Sequence, residues 1–345
     1  MEMIFACVVS FAATGLLGWK VILPALRRLK AGQEIREVGP KWHKTKAGTP
    51  TMGGLMFIAG SALAMLIAGW PGMLAGDLTH VYVFLFAAVF GVIGFLDDYE
   101  KVKRHQNLGL TALQKFLLQL AAAILFLMLM RYEGRLSPTL YVPFFNLSLP
   151  LSWPLYMVFA AFVIVGTVNA VNITDGLDGL STSVSVPVAL FFVSVATWWG
   201  YTQLGVFAAA LLGGLLAFLL FNAHPAKVFM GDTGSLFLGG AVAGMAFAAD
   251  MPLVLLLVGI IYIVETLSDI IQVVYFKLTH GRRIFKMAPS TTTLRCAAGA
   301  RSRSSPCSPP YPPCSAPWPS SGSWTAWCPD RAGPGPPLRI WRRRL

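Results

Sequence analysis

The sequence predicts an all-α, polytopic integral membrane helix bundle with nine spans, and three observations predict it. The chain is 56% hydrophobic and only 12% charged over 345 residues, whereas a soluble domain carries about a quarter charged residues. Its apolar residues fall into nine runs, near 3–23, 53–70, 79–96, 111–130, 152–170, 183–199, 204–221, 235–249 and 253–276. Most of these reach the ~17–25 residues that cross a bilayer as a helix. Polar residues collect at the borders between runs. Helices follow because backbone hydrogen bonds in hydrocarbon must be satisfied within the segment.

The first run is too long, and wrongly flanked, for a cleaved signal peptide. The segment 24–52 carries Arg27, Arg28, Lys30, Arg36, Lys41, Lys44 and Lys46, so it belongs on the cytoplasmic side by the positive-inside rule. Lys101, Lys103 and Arg104 follow the third run, and Lys277, Arg282, Arg283 and Lys286 follow the ninth. Loops 71–78 and 200–203 carry no Lys or Arg, and 131–151 holds only Arg131 and Arg135. This alternation places the N-terminus outside. The run 235–249 is short, and its border at Asp250–Pro252 is the weakest boundary. The net charge of +12 is no nucleic-acid signature, because eight arginines against one aspartate after residue 289 supply +7 of it. The rest is positive-inside bias, so no nucleic-acid partner is expected.

Five aspartates carry the functional signal. They lie in FLDDYEK (95–101), NITDGLDGL (172–180) and FMGDTGS (229–235), each at the border of an apolar run. Carboxylates are costly in or near hydrocarbon and mark functional sites there. By parity of crossings, all three clusters face the cytoplasm, where together they can build one divalent-metal and diphosphate site. Asp97 and Asp98 are adjacent, and neighbouring carboxylates resist joint ionisation without a cation beside them. A hard, oxygen-seeking ion such as Mg²⁺ fits, although a solvated helix end would look the same. Asp175 and Asp178 are spaced to share one face of a helical turn, with Asn169 and Asn172 just upstream; a plain interhelical turn is the bland alternative. Asp232 lies between Gly231 and Gly234, and Thr233 or Ser235 is expected to cap the helix that follows. A helix N-terminus can seat a phosphate. No P-loop is present, because no Gly-Lys-Ser/Thr follows at the required spacing.

Upstream, Asn222, His224 and Lys227 are polar groups on the same face, and His224 alone reads as a boundary histidine. Lys115, inside the fourth run, either snorkels to the interface or contacts phosphate beside Asp97 and Asp98. Glu265 and Asp269 are spaced i, i+4 in the ninth run, where intramembrane acids turn inward to a polar groove.

After Pro289 the composition breaks. Residues 290–345 hold 11 of the 23 prolines and four of the five cysteines (Cys296, Cys307, Cys314 and Cys328), with no apolar run. No CxxC pair suggests zinc. The domain division is therefore a membrane domain at 1–289 and an aberrant Pro/Arg/Ser/Cys-rich tail at 290–345, disordered by composition.

The motifs GTPTMGG (48–54), FLDDYEKV (95–102), TALQKFLLQ (111–119), NAVNITDGLDGL (169–180), FNAHPAKVFMGDTGSLFLGG (221–240) and GRRIFKMAP (281–289) resemble those of the polyprenyl-phosphate N-acetylhexosamine-1-phosphate transferases. The likeness runs from the first helix to Pro289, and GTPTMGG and RRIFKMAP are similar to the phospho-N-acetylmuramoyl-pentapeptide transferase branch. The resemblance implies ten transmembrane helices and a multi-pass protein of the bacterial inner membrane with a cytoplasmic active site. It implies Mg²⁺-dependent transfer of phospho-MurNAc-pentapeptide from UDP-MurNAc-pentapeptide to undecaprenyl phosphate, with release of UMP. By motif, Asp97, Asp98 and Asp232 are catalytic, with Asp232 and Asp98 on the metal. Lys101 and Lys115 contact phosphates, and Asn172, Asp175, Asp178 and Asn222 line the nucleotide and diphosphate pocket. A homodimer is among the expected partners. Two rival readings are a GlcNAc-1-phosphate polyprenyl transferase and, in another class, a carboxylate-lined membrane transporter.

One departure stands out. The family continues after MAP with Leu and three histidines and then a last helix, whereas this chain has Ser290, Thr291, Thr292 and Thr293. CTC-CAC-CAC-CAC read one nucleotide late gives Ser-Thr-Thr-Thr, so 290–345 read as a frameshifted tail. Hydroxyls do not replace imidazoles as cation-forming phosphate contacts, and an impaired enzyme is the expectation. Asp269 is a smaller oddity, since relatives carry an apolar residue there.

Overall fold

Every one of the nine apolar runs is helical in the computed structural model, which describes residues 1–29, 48–104, 109–142, 145 and 147–285. The helices are α1 (Glu2–Arg28), α2 (Gly54–Ala68), a short α3 (Trp70–Leu74), α4 (Thr79–Arg104), α5 (Ala112–Tyr132), α6 (Trp153–Thr174), α7 (Leu180–Trp199), α8 (Thr202–Asn222), α9 (Gly231–Ala248), α10 (Pro252–Val258) and α11 (Ile260–Leu278). The result is a polytopic membrane helix bundle.

Six of these helices, α1 and α4 to α8, are long and apolar enough to cross a membrane, and α10 with α11 makes a seventh if the bent pair is one span. Nine spans were expected, the run 235–249 being short, and the lower count among the described residues has a physical reason. Helix α2 has only 15 residues. The polar first turn of α9, Gly231 to Ser235, dilutes its apolar content, yet almost every residue after it is buried. A helix wrapped by protein on all sides needs no lipid-facing surface. The weak border at Asp250–Pro252 is a real break, with Asp250 at φ +54, and a second break at Gly259 turns α11 79° away from α10.

Helix α9 is the axis of the bundle, and glycines let its neighbours come close. The Cα of Gly234 lies 2.2 Å from where a Cβ on Gly54 of α2 would stand, and the Cα of Val168 of α6 lies 2.6 Å from the corresponding point on Gly239. Small residues at helix contacts are how membrane bundles gain packing energy, since lipid supplies no hydrophobic drive between helices. Aromatic side chains fill the remaining space, with Phe57, Phe84, Phe218 and Phe237 meeting edge-on or tilted. Outward faces are apolar: Leu113, Phe116, Leu117, Leu125 and Met128 of α5 are all exposed. Helix α11 turns Tyr262, Glu265 and Ser268 inward and Ile260, Val264, Leu267 and Ile271 outward. The intramembrane acid Glu265 is thus buried, as expected, and Asp269 is half-buried.

The stretch 131–151, expected to be a plain loop, carries a hairpin instead. Thr139–Val142 pairs antiparallel with Leu147–Pro150. Its short alternating strands were masked by turn-like composition. At that same end Asp77 accepts hydrogen bonds from the Thr79 amide and hydroxyl, and Arg135 reaches Asp77 at 3.5 Å. The basic residues Lys30, Arg36, Lys41, Lys44, Lys46 and Lys286, and the whole tail with Ser290 to Thr293 and its four cysteines, lie outside the described residues.

Candidate active site

The site is built where helix ends from distant parts of the chain meet at one end of the bundle. The last turns of α4 supply Asp97, Asp98 and Lys101, the first turn of α5 supplies Lys115, the last turn of α6 supplies Asn172, and the first turn of α9 supplies Asp232. One ligand oxygen from each of Asp97, Asp98 and Asp232 fits within 4.8 Å of the others. Asp97 and Asp98 are each only 3% exposed. Three carboxylates this close, two of them buried, repel one another unless cations intervene. Lys101 and Lys115 do part of that work: their ammonium groups lie 2.8 and 2.9 Å from the same Asp232 Oδ2. Lys101 is also 2.5 Å from Asp97 Oδ2, and Lys115 is 3.9 Å from it. Three carboxylates against two ammonium groups leave one negative charge, and the oxygens are hard donors. The donor set fits a divalent ion such as Mg²⁺.

Each carboxylate is held in place. Asp97 Oδ1 accepts from the Leu110 amide at 2.8 Å. Asp98 Oδ2 accepts from the Thr233 amide at 2.9 Å and from the Thr233 hydroxyl at 2.7 Å. Asp232 Oδ1 accepts from Asn172 Nδ2, which also donates to Ser235. The GTPTMGG motif braces the other side. Phe229 N–H donates to Pro50 O, Gly53 N–H to Phe229 O, and Gly54 N–H to Met230 O, so the strand-like pairing of 50–54 with 229–230 fixes the turn before Asp232.

Several sequence expectations change at this resolution of detail. Thr233 and Ser235 do not cap α9 with their own side chains; Asp98, from another helix, caps it instead, and the Thr233 amide is therefore already occupied. Asp175 and Asp178 do not share a helical face, because α6 ends at Thr174 and both lie in the turn before α7. Gly176 and Gly179 break the helix there, and Gly179 sits at φ +74. Asp175 lies near enough to Asp232, Asp98 and Asp178 to feel their negative charge. Asp178 instead pairs with His224, Oδ2 to Nδ1 at 2.9 Å, with its carboxylate only 4% exposed. Asn222 is buried, accepting from Thr182 and donating to Val228 O, so it braces the 222–228 turn. The carboxylate partner of His224 is the functional feature that sequence reading missed. No local signal marks a pair 46 residues apart, beyond the polar character of both loops.

Burial pushes the Asp175 carboxyl well above the ordinary carboxylate range, and the negative charges of Asp232, Asp98 and Asp178 push the same way. A carboxyl raised in the folded state costs no stability below its unfolded pKa of about 4. The cost grows as pH rises from that unfolded value to the raised folded one and stays level above it. Asp175→Asn is therefore expected to raise the melting temperature at pH 8, with the gain fading toward pH 4 and shrinking when Mg²⁺ is added. Thermal melts of detergent-solubilised protein at both pH values check this; a variant no more stable than wild type at pH 8 would contradict it.

A family model described as glycosyl transferase family 4 matches residues 80–250, and a phospho-N-acetylmuramoyl-pentapeptide-transferase signature matches residues 46–58. The chain is 46% identical over 281 residues to a phospho-N-acetylmuramoyl-pentapeptide-transferase from Listeria welshimeri, covering 81% of this chain and 86% of the relative. It is 48% identical over 289 residues to one from Clostridium perfringens, covering 84% and 88%. With one from Caldanaerobacter subterraneus it shares 47% identity over 292 residues, covering 84% and 88%. The chain belongs to the phospho-N-acetylmuramoyl-pentapeptide-transferase family.

Proposed function

We propose that this chain transfers phospho-MurNAc-pentapeptide from UDP-MurNAc-pentapeptide to undecaprenyl phosphate, releasing UMP and forming the first lipid intermediate of peptidoglycan synthesis. The convergence of Asp97, Asp98, Asp232, Lys101 and Lys115 at one end of a membrane bundle carries the reading. The named relatives support it. The site is assigned to the cytoplasmic face of the inner membrane on the basic residues flanking it, Lys101, Lys103, Arg104 and Arg282 among them.

In the reaction a lipid-phosphate oxygen attacks the phosphorus nearest the sugar. The bond from that phosphorus to the bridging oxygen breaks, and UMP departs with that oxygen. A phosphate monoester has a second pKa of about 6, so the attacking group is mostly dianionic at neutral pH and needs no strong base. Asp97 and Asp98 orient it. Lys101 and Lys115, which rest on Asp232 and Asp97, are placed to turn toward the phosphates. Mg²⁺ held among Asp97, Asp98 and Asp232 would neutralise the diphosphate and the departing UMP. When ionised, Asp175 and Asp178 accept hydrogen bonds, so their wall suits hydroxyl and N–H donors of the nucleoside. Asn172 and Asn222 complete that wall from behind, by holding Asp232 and the 222–228 turn.

We also propose that residues 290–345 are a frameshifted reading. Transfer of label from UDP-MurNAc-pentapeptide to undecaprenyl phosphate is expected to be at least about a hundredfold faster when Leu-His-His-His and the in-frame remainder replace this tail, about the ~3 kcal/mol that phosphate contacts supply. Equal rates for the two proteins would remove the expectation that this tail impairs the enzyme, and an in-frame Ser-Thr-Thr-Thr with no recoverable histidine frame on resequencing past Pro289 would remove the frameshift proposal. No Mg²⁺-dependent transfer by either would remove the enzyme reading.

A further inference from the structure

Gln119 is the feature the reaction leaves unused. It lies on α5 one turn beyond Lys115, is fully buried, and accepts a hydrogen bond from Asn169 Nδ2 at 2.6 Å. Asn169 lies on α6 one turn before Asn172. Helix α5 leaves the site and α6 arrives at it, so the two spacings, four and three residues, descend ~6 and ~4.5 Å along antiparallel axes. The helices are thus joined by two polar rungs. In the upper rung Lys115 and Asn172 grip opposite oxygens of Asp232; in the lower one Gln119 and Asn169 meet directly.

The orientation of the lower rung is settled by its surroundings. Asn169 Nδ2 also donates to Val165 O at 2.8 Å, so its nitrogen must face that carbonyl, and Gln119 must turn its oxygen toward Asn169. The Gln119 Nε2 group is then left buried without a partner among the described residues. A buried unpaired donor opposes folding, and methionine would fill the same volume without that cost. Packing alone does not call for glutamine here. Below the rung, α5 and α6 meet through Ala122, Ala123, Phe126, Ala160, Ala161 and Ile164. That contact is apolar until the far end, where the Arg131 guanidinium of α5 sits over the Trp153 ring of α6, so next to the site the amide pair is the buried polar contact between these helices, and such a contact can fix helix register.

We infer that Gln119, through Asn169, is a positioning residue that sets the register of α5 against α6 so that Lys115 and Asn172 together hold Asp232 in its cation-binding orientation. The inference rests on reading Asp232 as a cation ligand, and not on the identity of the sugar or lipid. Removing a group that orients a metal ligand costs 10- to 100-fold in affinity. Mn²⁺ binding to the substrate-free full chain in detergent, followed by electron paramagnetic resonance, reads this without any transfer assay. Gln119→Met is expected to weaken Mn²⁺ binding about tenfold while melting within a few degrees of wild type. Asn169→Ala breaks the same rung from the other side and serves where Gln119→Met does not fold. The exchange Gln119→Asn with Asn169→Gln keeps an amide pair of the same total length and is expected to restore binding. A purely structural role would lower the melting temperature and leave the affinity of the folded protein unchanged. That result, an exchange variant as weak as the single variants, or absence of Mn²⁺ binding by wild type would each overturn the inference. Wild type that binds Mn²⁺ yet transfers nothing would count against the enzyme reading alone.

Discussion

Asp232→Asn is expected to lower transfer by at least about a thousandfold, close to the ~4 kcal/mol that a cation's charge stabilisation supplies. Three things fail together. The variant loses one of the three ligand carboxylates, and with it the charge that holds Lys101 and Lys115 over the site. An asparagine also cannot satisfy both sides of the pocket, because Asp232 receives donors on both oxygens and one position would now be NH₂ facing NH₃⁺ or NH₂. The side chain keeps its size, so the bundle should still assemble. Radiolabel transfer by the frame-restored protein, with and without the substitution, measures the effect. A variant retaining a tenth of the activity would show that Asp232 is not central.

The second large effect is expected where no polar group is touched. A Cβ on Gly94 of α4 would lie 2.0 Å from the Asp232 carbonyl oxygen and 2.7 Å from the Thr233 nitrogen. Both are backbone atoms, and neither can swing aside. Gly94→Ala must push α4 away from the first turn of α9, which parts Asp97 and Asp98 from Asp232. A displacement of about 1 Å at a reacting centre costs around a hundredfold in rate, and overpacking costs ~1–3 kcal/mol of stability. Gly91→Ala, one turn earlier on α4, is the control. Its nearest neighbours are the Phe237 Cβ at 3.3 Å and a ring carbon at 3.4 Å, contacts that a shift of a few tenths of an ångström relieves, so most activity should survive. Similar rates for the two alanine variants, measured per folded enzyme, would show that the close approach at Gly94 does not set the site.

Much of the site was legible because membrane chains spend charge sparingly. A carboxylate at the edge of an apolar run has few bland explanations, so Asp97, Asp98 and Asp232 stood out, and loop parity brought them to one side. Lys115 stayed ambiguous in sequence, since snorkelling and site contact both ask for a lysine near a helix end; its contact with Asp232 decides between them. What could not be read were side-chain partnerships across helices. Asn222 was expected at the pocket from its polarity alone, whereas its burial and its partners show only in the structure. Its amide is spent on Thr182 and Val228. Asp175 and Asp178 have helical spacing, but Gly176 and Gly179 favour a turn, and local periodicity outweighed that signal. Helix count suffered from the opposite problem. Length and hydropathy measure fitness for lipid, and α9 is surrounded by protein.

The capping of α9 by Asp98 ties chemistry to mechanics. The carboxylate that finishes this helix from outside belongs to the cluster where a cation would bind, so whatever draws on that carboxylate also loosens or secures the leading turn of the central rod. Cation binding is therefore expected to change protection of the Thr233 amide proton, which makes it a natural gauge of occupancy for hydrogen-exchange measurements.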